Sequence, residues 1–358
     1  MASLDRVKIW FAPIGLTLVL ASSSFAQYTV TNLVTDSGTG GTLADPDLVN
    51  AWGLVALPAT PFWVSDNGTG KSTLYTGTGA KIGLTVTIRA AAGGQGTPTG
   101  IVGNSTADFV ITENDKSEPA LFIFATFDGT ISGWNPKVDG IISGASHATI
   151  AKDRSGFGAV YTGLAIGSNS GNNFLFAADD GPNRRVDVFD AGFNLVNLGP
   201  DAFVDPNIPK NFAPYGIQTV SDAQGNQTVW VTYTGLNKAQ SGFAAAFGTD
   251  GKFKNIELHG PLHSPWGVAL APADFGPLSN ALLISNNIAR GRIEAFDPSS
   301  GAYLGFLRES GKAIEINDIW AIQFGQGGGP NGATKQLFFT GGPNNYANGV
   351  FGVVAPSD

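Results

Sequence analysis

The side chains best suited to chemistry in this sequence recur at similar places along it. Asp66, Asp179, Asn286 and Asp318 offer carboxylate and carboxamide oxygens beside short apolar runs. Oxygen-only donors of this kind suit a hard cation, and Ca²⁺ is the cofactor they would take. The same residue types make good turns by bonding their own backbone, so both readings stand at this stage. Phe127, Tyr161, Tyr233 and Trp266 are the aromatic side chains expected to line a ligand-binding surface among them. Asp179, Asp318 and His263 are the candidate catalytic groups. A carboxylate could take a proton while a bound cation polarised a carbonyl. His263, just ahead of Ser264-Pro265-Trp266, could serve as a base or a ligand. His259 lies across a Gly260-Pro261 break, which excludes a helical metal pair, and His147 is expected in an outer strand.

Other chemistries are excluded by composition. The 358 residues include no cysteine, so there is no thiol nucleophile, thiolate zinc site or disulfide framework. Gly68-Thr69-Gly70-Lys71-Ser72 resembles the end of a phosphate-binding loop, but Ser65 stands where the first glycine belongs, and a strand follows. No Gly-x-Ser-x-Gly nucleophile elbow occurs. A net charge of −8 argues against a nucleic-acid partner. Hydrophobic residues at 42% supply ample core, which rules out wholesale disorder.

Residues 1–26 are read as a signal peptide. Arg6 and Lys8 precede an apolar run from Ile9 to Ala21, too short to span a bilayer, and Ser24-Phe25-Ala26 offers a cleavage site. A secreted or periplasmic protein follows from this, with no membrane insertion after cleavage. The single methionine is Met1, so the mature chain would hold no sulfur.

The elements that must position these residues are short strands. β-branched and aromatic runs alternate with Gly, Asn, Asp, Pro and Ser clusters. Six segments run into a small residue followed by an apolar pair, centred on Gly53, Gly100, Gly163, Gly216, Gly267 and Ala321, at steps of 47 to 63 residues. Ten to thirty residues after each comes an apolar run ending in Ser, Thr or Ala and then a polar or aromatic pair: Ser65, Thr126, Ala178, Thr232, Ser285 and Thr340 hold the small position. Third strands end on Tyr75, Trp134, Phe189, Phe247 and Phe296. Fourth strands are expected at Gly83–Ile88, Ala148–Lys152, Leu195–Leu198, Asn255–Leu258 and Leu304–Leu307. Six four-stranded antiparallel meanders make an all-β, six-bladed β-propeller, a single domain over 27–358. The last repeat lacks its outer strand, and Tyr28–Val34 is the orphan that would close the ring. Gly325–Gly332 reads as a flexible loop.

Two rings of residues should then meet at one mouth of the channel. Strand entrances contribute Asn50, Pro98, Tyr161, Pro214, His263 and Asp318. The ends of the second strands contribute Asp66, Phe127, Asp179, Tyr233, Asn286 and Gly341.

Asn50-Ala51-Trp52-Gly53-Leu54, Phe62 to Gly68, and Asp205-Pro206-Asn207-Ile208-Pro209 with Ala213-Pro214 resemble an uncharacterised family of exported bacterial β-propellers. Some members carry a PEP-CTERM sorting tail. This chain ends Ala355-Pro356-Ser357-Asp358 instead, so release rather than sorting is expected. More distantly the blades resemble NHL repeats and gluconolactonase-like propellers, which hold a divalent cation with a Glu, Asn or Asp neighbours and an Asp. Here Asn50 stands in the place of that Glu, and Asp179, Asn286 and Asp318 would supply the rest. Two functions are carried forward. The first is a binding or scaffold module, monomeric, taking a small molecule, glycan or protein partner at an acidic and aromatic mouth. The alternative is a Ca²⁺-dependent hydrolase of lactones or esters.

Overall fold

A computed structural model describes residues 28–235 and 241–357, so the expected leader at 1–26 lies outside the described residues. Six antiparallel sheets follow one another along the chain, each a meander. Their inner strands are Ala51–Val55, Pro98–Gly103, Tyr161–Asn169, Phe212–Ser221, Pro265–Leu270 and Ile319–Phe324, of blades 1 to 6 in order. Each packs on the next, and the sixth packs back on the first, so the ring is closed. The fold is a six-bladed β-propeller. Among the described residues no helix is long and apolar enough to cross a membrane.

Closure is made by the orphan strand, as expected. Tyr28–Thr35 pairs antiparallel with Val350–Pro356, from Tyr28 opposite Pro356 to Thr35 opposite Val350, and supplies the outer strand of blade 6. Tyr28 is buried, and its hydroxyl donates to the Phe275 carbonyl of blade 5 at 2.9 Å.

The spacing of small residues has a steric cause. In all six blades the ladder between inner and second strands shifts register at the same point, as at a β-bulge. Neighbouring inner strands approach closely there. A Cβ on Gly267 would lie 2.6 Å from the Trp320 carbonyl oxygen and 2.9 Å from the Ile322 nitrogen. The bulge frees backbone groups that must find partners. Hydroxyls take them: Ser285 Oγ accepts from Gly267 N–H at 2.8 Å and donates to the Trp320 carbonyl of the next blade at 2.6 Å. Thr340 does the same between Ala321 N–H at 3.1 Å and the Trp52 carbonyl at 2.6 Å, and Thr232 accepts from Gly216 N–H at 2.9 Å. In blades 5 and 6 this hydroxyl therefore stitches one blade to the next.

Apolar side chains pack in wedges between neighbouring blades rather than in one central core. The wedge between blades 6 and 1 continues onto the axis through Trp52, Tyr215, Trp266 and Trp320.

Two expectations need correction, and one gains detail. His147 lies in an outer strand, that of the blade 1 sheet. It ends the strand Ala145–His147, which crosses over to pair parallel with the outer strand of blade 1. Asp139 and Glu113 hold its ring at 2.6 and 2.8 Å. This insertion, with the hairpin Val110–Glu113 and Lys116–Pro119, accounts for the longest repeat step. The glycine-rich run Gly325–Gly332 is not a loose loop, because buried Asn331 donates to the Leu57, Pro58 and Thr60 carbonyls at 3.0 to 3.1 Å. In blade 3 the outer strand is only Leu195–Val196.

Candidate functional site

The residue before each anchoring small residue belongs to the axial layer. Blades 1, 4, 5 and 6 place Trp52, Tyr215, Trp266 and Trp320 there, and blades 2 and 3 place Thr99 and Thr162. Trp52 and Trp320 stack with centroids 3.6 Å apart. Tyr215 and Trp266 meet Trp320 at 6.0 Å each. All four rings are at most 6% exposed, so the axis is sealed by aromatic packing at this depth. Trp266 Nε1 donates across the axis to the Thr162 carbonyl at 2.9 Å, and Trp320 Nε1 donates to Asn50 Oδ1 at 2.9 Å.

Above this floor stands a polar ring built from a repeated backbone device. In blades 1, 2, 3, 5 and 6 the N–H following the second strand donates to the carbonyl at the strand entrance: Asn67 to Asn50 at 3.2 Å, and Phe127 to Thr97, Asp180 to Val160, Asn287 to Ser264 and Gly342 to Asp318 at 3.0 Å. Asn50, Ser264 and Asp318 adopt left-handed conformations at this corner, with φ of 47°, 47° and 51°. Asn and Asp tolerate that region better than most residues, which explains their recurrence at strand entrances. Asn67 Nδ2 and Asn287 Nδ2 then reach the following blade, donating to the Pro98 carbonyl at 3.1 Å and the Ile319 carbonyl at 3.2 Å. Tyr346 crowns the ring, its ring 5.5 Å from Trp320 and its hydroxyl donating to Asn287 Oδ1 at 3.0 Å.

The ring at the mouth is thus one residue further along than the pair-leading positions. Side chains alternate along a strand, so a shift of one residue reverses the direction. Asp66, Asp179 and Asn286 turn back toward their own entrance loops or the preceding blade, whereas Asn67 and Asn287 face forward. Asp179 accepts from Val160 N–H and Gly181 N–H at 2.9 Å and from Asn183 Nδ2 at 3.1 Å. Asn286 accepts from His263 N–H at 2.9 Å and donates to the Pro261 carbonyl at 2.8 Å. Both do the turn chemistry that their types allow. Phe127 reaches the axis because the blade 2 register puts Thr126, not Phe127, opposite Pro98, at the place of Asp66 and Asp179. Its ring packs edge-on against Trp52 at 4.8 Å.

The remaining positions are dispersed. Tyr161 is buried between blades with its hydroxyl on Asp187 at 2.8 Å, and Tyr233 points outward to the Phe203 carbonyl at 3.4 Å. Asp66 is fully buried in the seam with blade 6, and burial, with Asp45 and Asp47 nearby, pushes its carboxyl well above the usual range. Asp318 does sit at the mouth, 7% exposed, and burial raises its carboxyl against an opposing bond from Asn345 N–H. Burial, with Asp318 close by, raises the Tyr346 hydroxyl, and burial, with Tyr346 and Asp180 close by, raises that of Tyr215.

Asp179 and Asn286 are committed to backbone partners, and Asn50 holds Trp320 and Asn67. Among the described residues no three His, Asp or Glu side chains converge as a metal site would require.

No protein-family profile matches the chain. Uncharacterized protein L690 of Acanthamoeba polyphaga mimivirus is 31% identical over 306 residues, covering 82% of this chain and 78% of the viral protein. Uncharacterized protein R648 of the same virus is 29% identical over 321 residues, covering 87% and 76%. Among solved structures, a streptogramin B lyase is similar at 12% identity and a TM-score of 0.48, covering 92% of this chain and 97% of that one. The virginiamycin B lyase of Staphylococcus aureus is similar at 12% identity and a TM-score of 0.46, covering 87% and 81%. The chain belongs to the family of the mimivirus protein L690.

Proposed function

We propose that this chain is an exported, soluble, monomeric β-propeller that binds a polar ligand on the face where the strand entrances gather, and that a saccharide is the ligand class. The observation that carries this reading is Tyr346. Its ring is 39% exposed, rests on Trp320, and is held in place by Asn287. A fixed aromatic face packs against the C–H side of a sugar ring, and neighbouring amides and carboxylates take its hydroxyls. Asp318 beside Tyr346 and Asp180 beside Tyr215 provide carboxylates on this face. The sealed floor makes the surface a shallow platform rather than a deep catalytic pocket. Export rests on the leader-like residues 1–26.

A glycan array probed with the chain from residue 27 tests this reading. Binding of one glycan class, weakened at least about tenfold by Tyr346→Ala with little change in melting temperature, is expected. No captured glycan, or capture indifferent to Tyr346→Ala, would remove the saccharide reading.

A further inference from the structure

The outer edge of blade 3 is left partly uncovered. Its third strand, Arg185–Phe189, is five residues long, but the outer strand pairs only with Val188 and Phe189 and then stops. The turn between the two strands fixes which backbone groups are left over. Asp190 N–H donates outward to the Asn194 carbonyl at 2.9 Å. Backbone groups repeat their direction every second residue of an antiparallel strand, so Val188 and Val186 also present N–H and C=O outward. Val196 lies opposite Val188, but no strand lies opposite Val186. A bare edge of this kind is a template for a further strand.

A furrow runs along that edge. Beyond Val196 the chain swings away and returns at Ala202 and Val204, leaving a cavity of about 410 Å³ that Val186 and Val188 also line. Leu195, Leu198 and Val204 face it too and are 40%, 37% and 48% exposed, so the furrow offers aliphatic surface to a guest. A second hollow of about 240 Å³ shares Arg185, Val186, Ala202 and Val204 with the first and extends it past Arg184 and Lys210. Three cations line this end against two carboxylates. Arg185 is bound to Asp187 at 2.6 Å, and Asp205 is buried with Oδ1 on the Asn207 N–H at 2.9 Å. Arg184 and Lys210 are exposed, and among the described residues neither is in an ion pair. Arg184 Nη1 donates to the Lys210 carbonyl at 3.2 Å, which sets the two residues side by side.

We propose that this furrow captures the C-terminal end of an extended peptide by strand addition. Strand direction and charge agree on which end of the guest enters. A strand added antiparallel to Arg185–Phe189 ends at Arg185, which brings its terminal carboxylate to Arg184 and Lys210. With the last residue opposite Arg185, the next-to-last faces Val186 and exchanges two backbone hydrogen bonds with it. Its side chain points to the same side of the sheet as that of Val186, among Ala202 and Val204, where an aliphatic group fits. Earlier residues of the guest turn away from the edge, because Val196 already occupies it. This inference is independent of the saccharide reading at the axis.

An array of random short peptides with free C-termini, probed with the labelled chain from residue 27, tests it. Captured peptides should be enriched in valine, isoleucine or leucine at the next-to-last position. Two changes to the tightest peptide, neither of them touching the protein, then separate the contributions. Amidating its C-terminus should weaken binding at least about fivefold. Methylating the backbone nitrogen of the next-to-last residue removes its donor to the Val186 carbonyl and should weaken binding to a similar degree. Arg184→Gln, an exposed change, should weaken binding by about two- to fivefold without moving the melting temperature. No enrichment at the next-to-last position would overturn the site. Undiminished binding of the methylated peptide would overturn the strand pairing, and undiminished binding of the amide would overturn the carboxylate end. Octanoate binding as tightly as the peptide would overturn the peptide assignment in favour of an aliphatic acid.

Discussion

At the scale of single residues, two kinds of position dominate. The first is the anchoring small residue. Adding one methyl at Gly267 forces backbone from blade 6 to move on two sides. Gly267→Ala should cost about 1–3 kcal/mol in chemical denaturation, the usual range for overpacking. Ala321→Gly, where a methyl is already accommodated, should cost only about 0.5–1 kcal/mol. Equal losses would refute the close-approach account. The second is a carboxyl buried without adequate partners. Asp66 is 0% exposed and neither carboxylate oxygen has a hydrogen bond that meets normal geometry. Its folded pKa lies above the unfolded value of about 4, so the native state binds the proton more tightly. The stability it contributes is present below that unfolded value and is lost as pH rises toward the folded one. Asp66→Asn should therefore match the native chain near pH 3 and exceed it by about 1–3 kcal/mol at pH 8. Thermal melts across that range give the comparison, and a native chain more stable than Asp66→Asn at pH 8 would contradict it.

At the scale of elements, the closing strand and the stacked indoles matter most. Tyr28–Thr35 supplies the whole outer ladder of blade 6 and buries Tyr28 and Val34. A chain lacking residues 28–35 exposes the edge of Val350–Pro356, an invitation to pair with another chain. Light scattering should find it aggregated at concentrations where the full-length chain stays dispersed. The Trp52–Trp320 stack is close enough for exciton coupling. The circular-dichroism couplet should shrink in Trp52→Phe to what Trp266–Trp320 and Trp63–Trp134 contribute, while the sheet signal persists, and an unchanged couplet would refute the stack.

At the scale of the whole molecule, six wedge cores share one closed ring of inner strands. No blade can bury both faces without its neighbours, so calorimetry should show a single cooperative transition. Resolved partial transitions would mean that blades unfold independently.

Much of the architecture is legible in the sequence. Local rules set the strands, because small residues recur where a bulge approaches a neighbour, and Ser or Thr takes up the freed backbone N–H in blades 4, 5 and 6. The orphan strand at Tyr28 was equally readable, since a ring of meanders one strand short must borrow it. The site was less so. Asp66, Asp179 and Asn286 look like ligands in one dimension, yet strand alternation turns them away from the mouth and gives it to Asn67, Phe127 and Asn287. Tyr346 lay in a connection with no repeat to align it, and only its packing on Trp320 brings it to the axis. Glu294 lies in the third strand of blade 5 and Glu315 in the connection to blade 6, and only the folded chain lines one cavity with both. Sequence period determines which elements form. Which face of each strand meets which neighbour depends on register and ring closure, and those are properties of the folded chain.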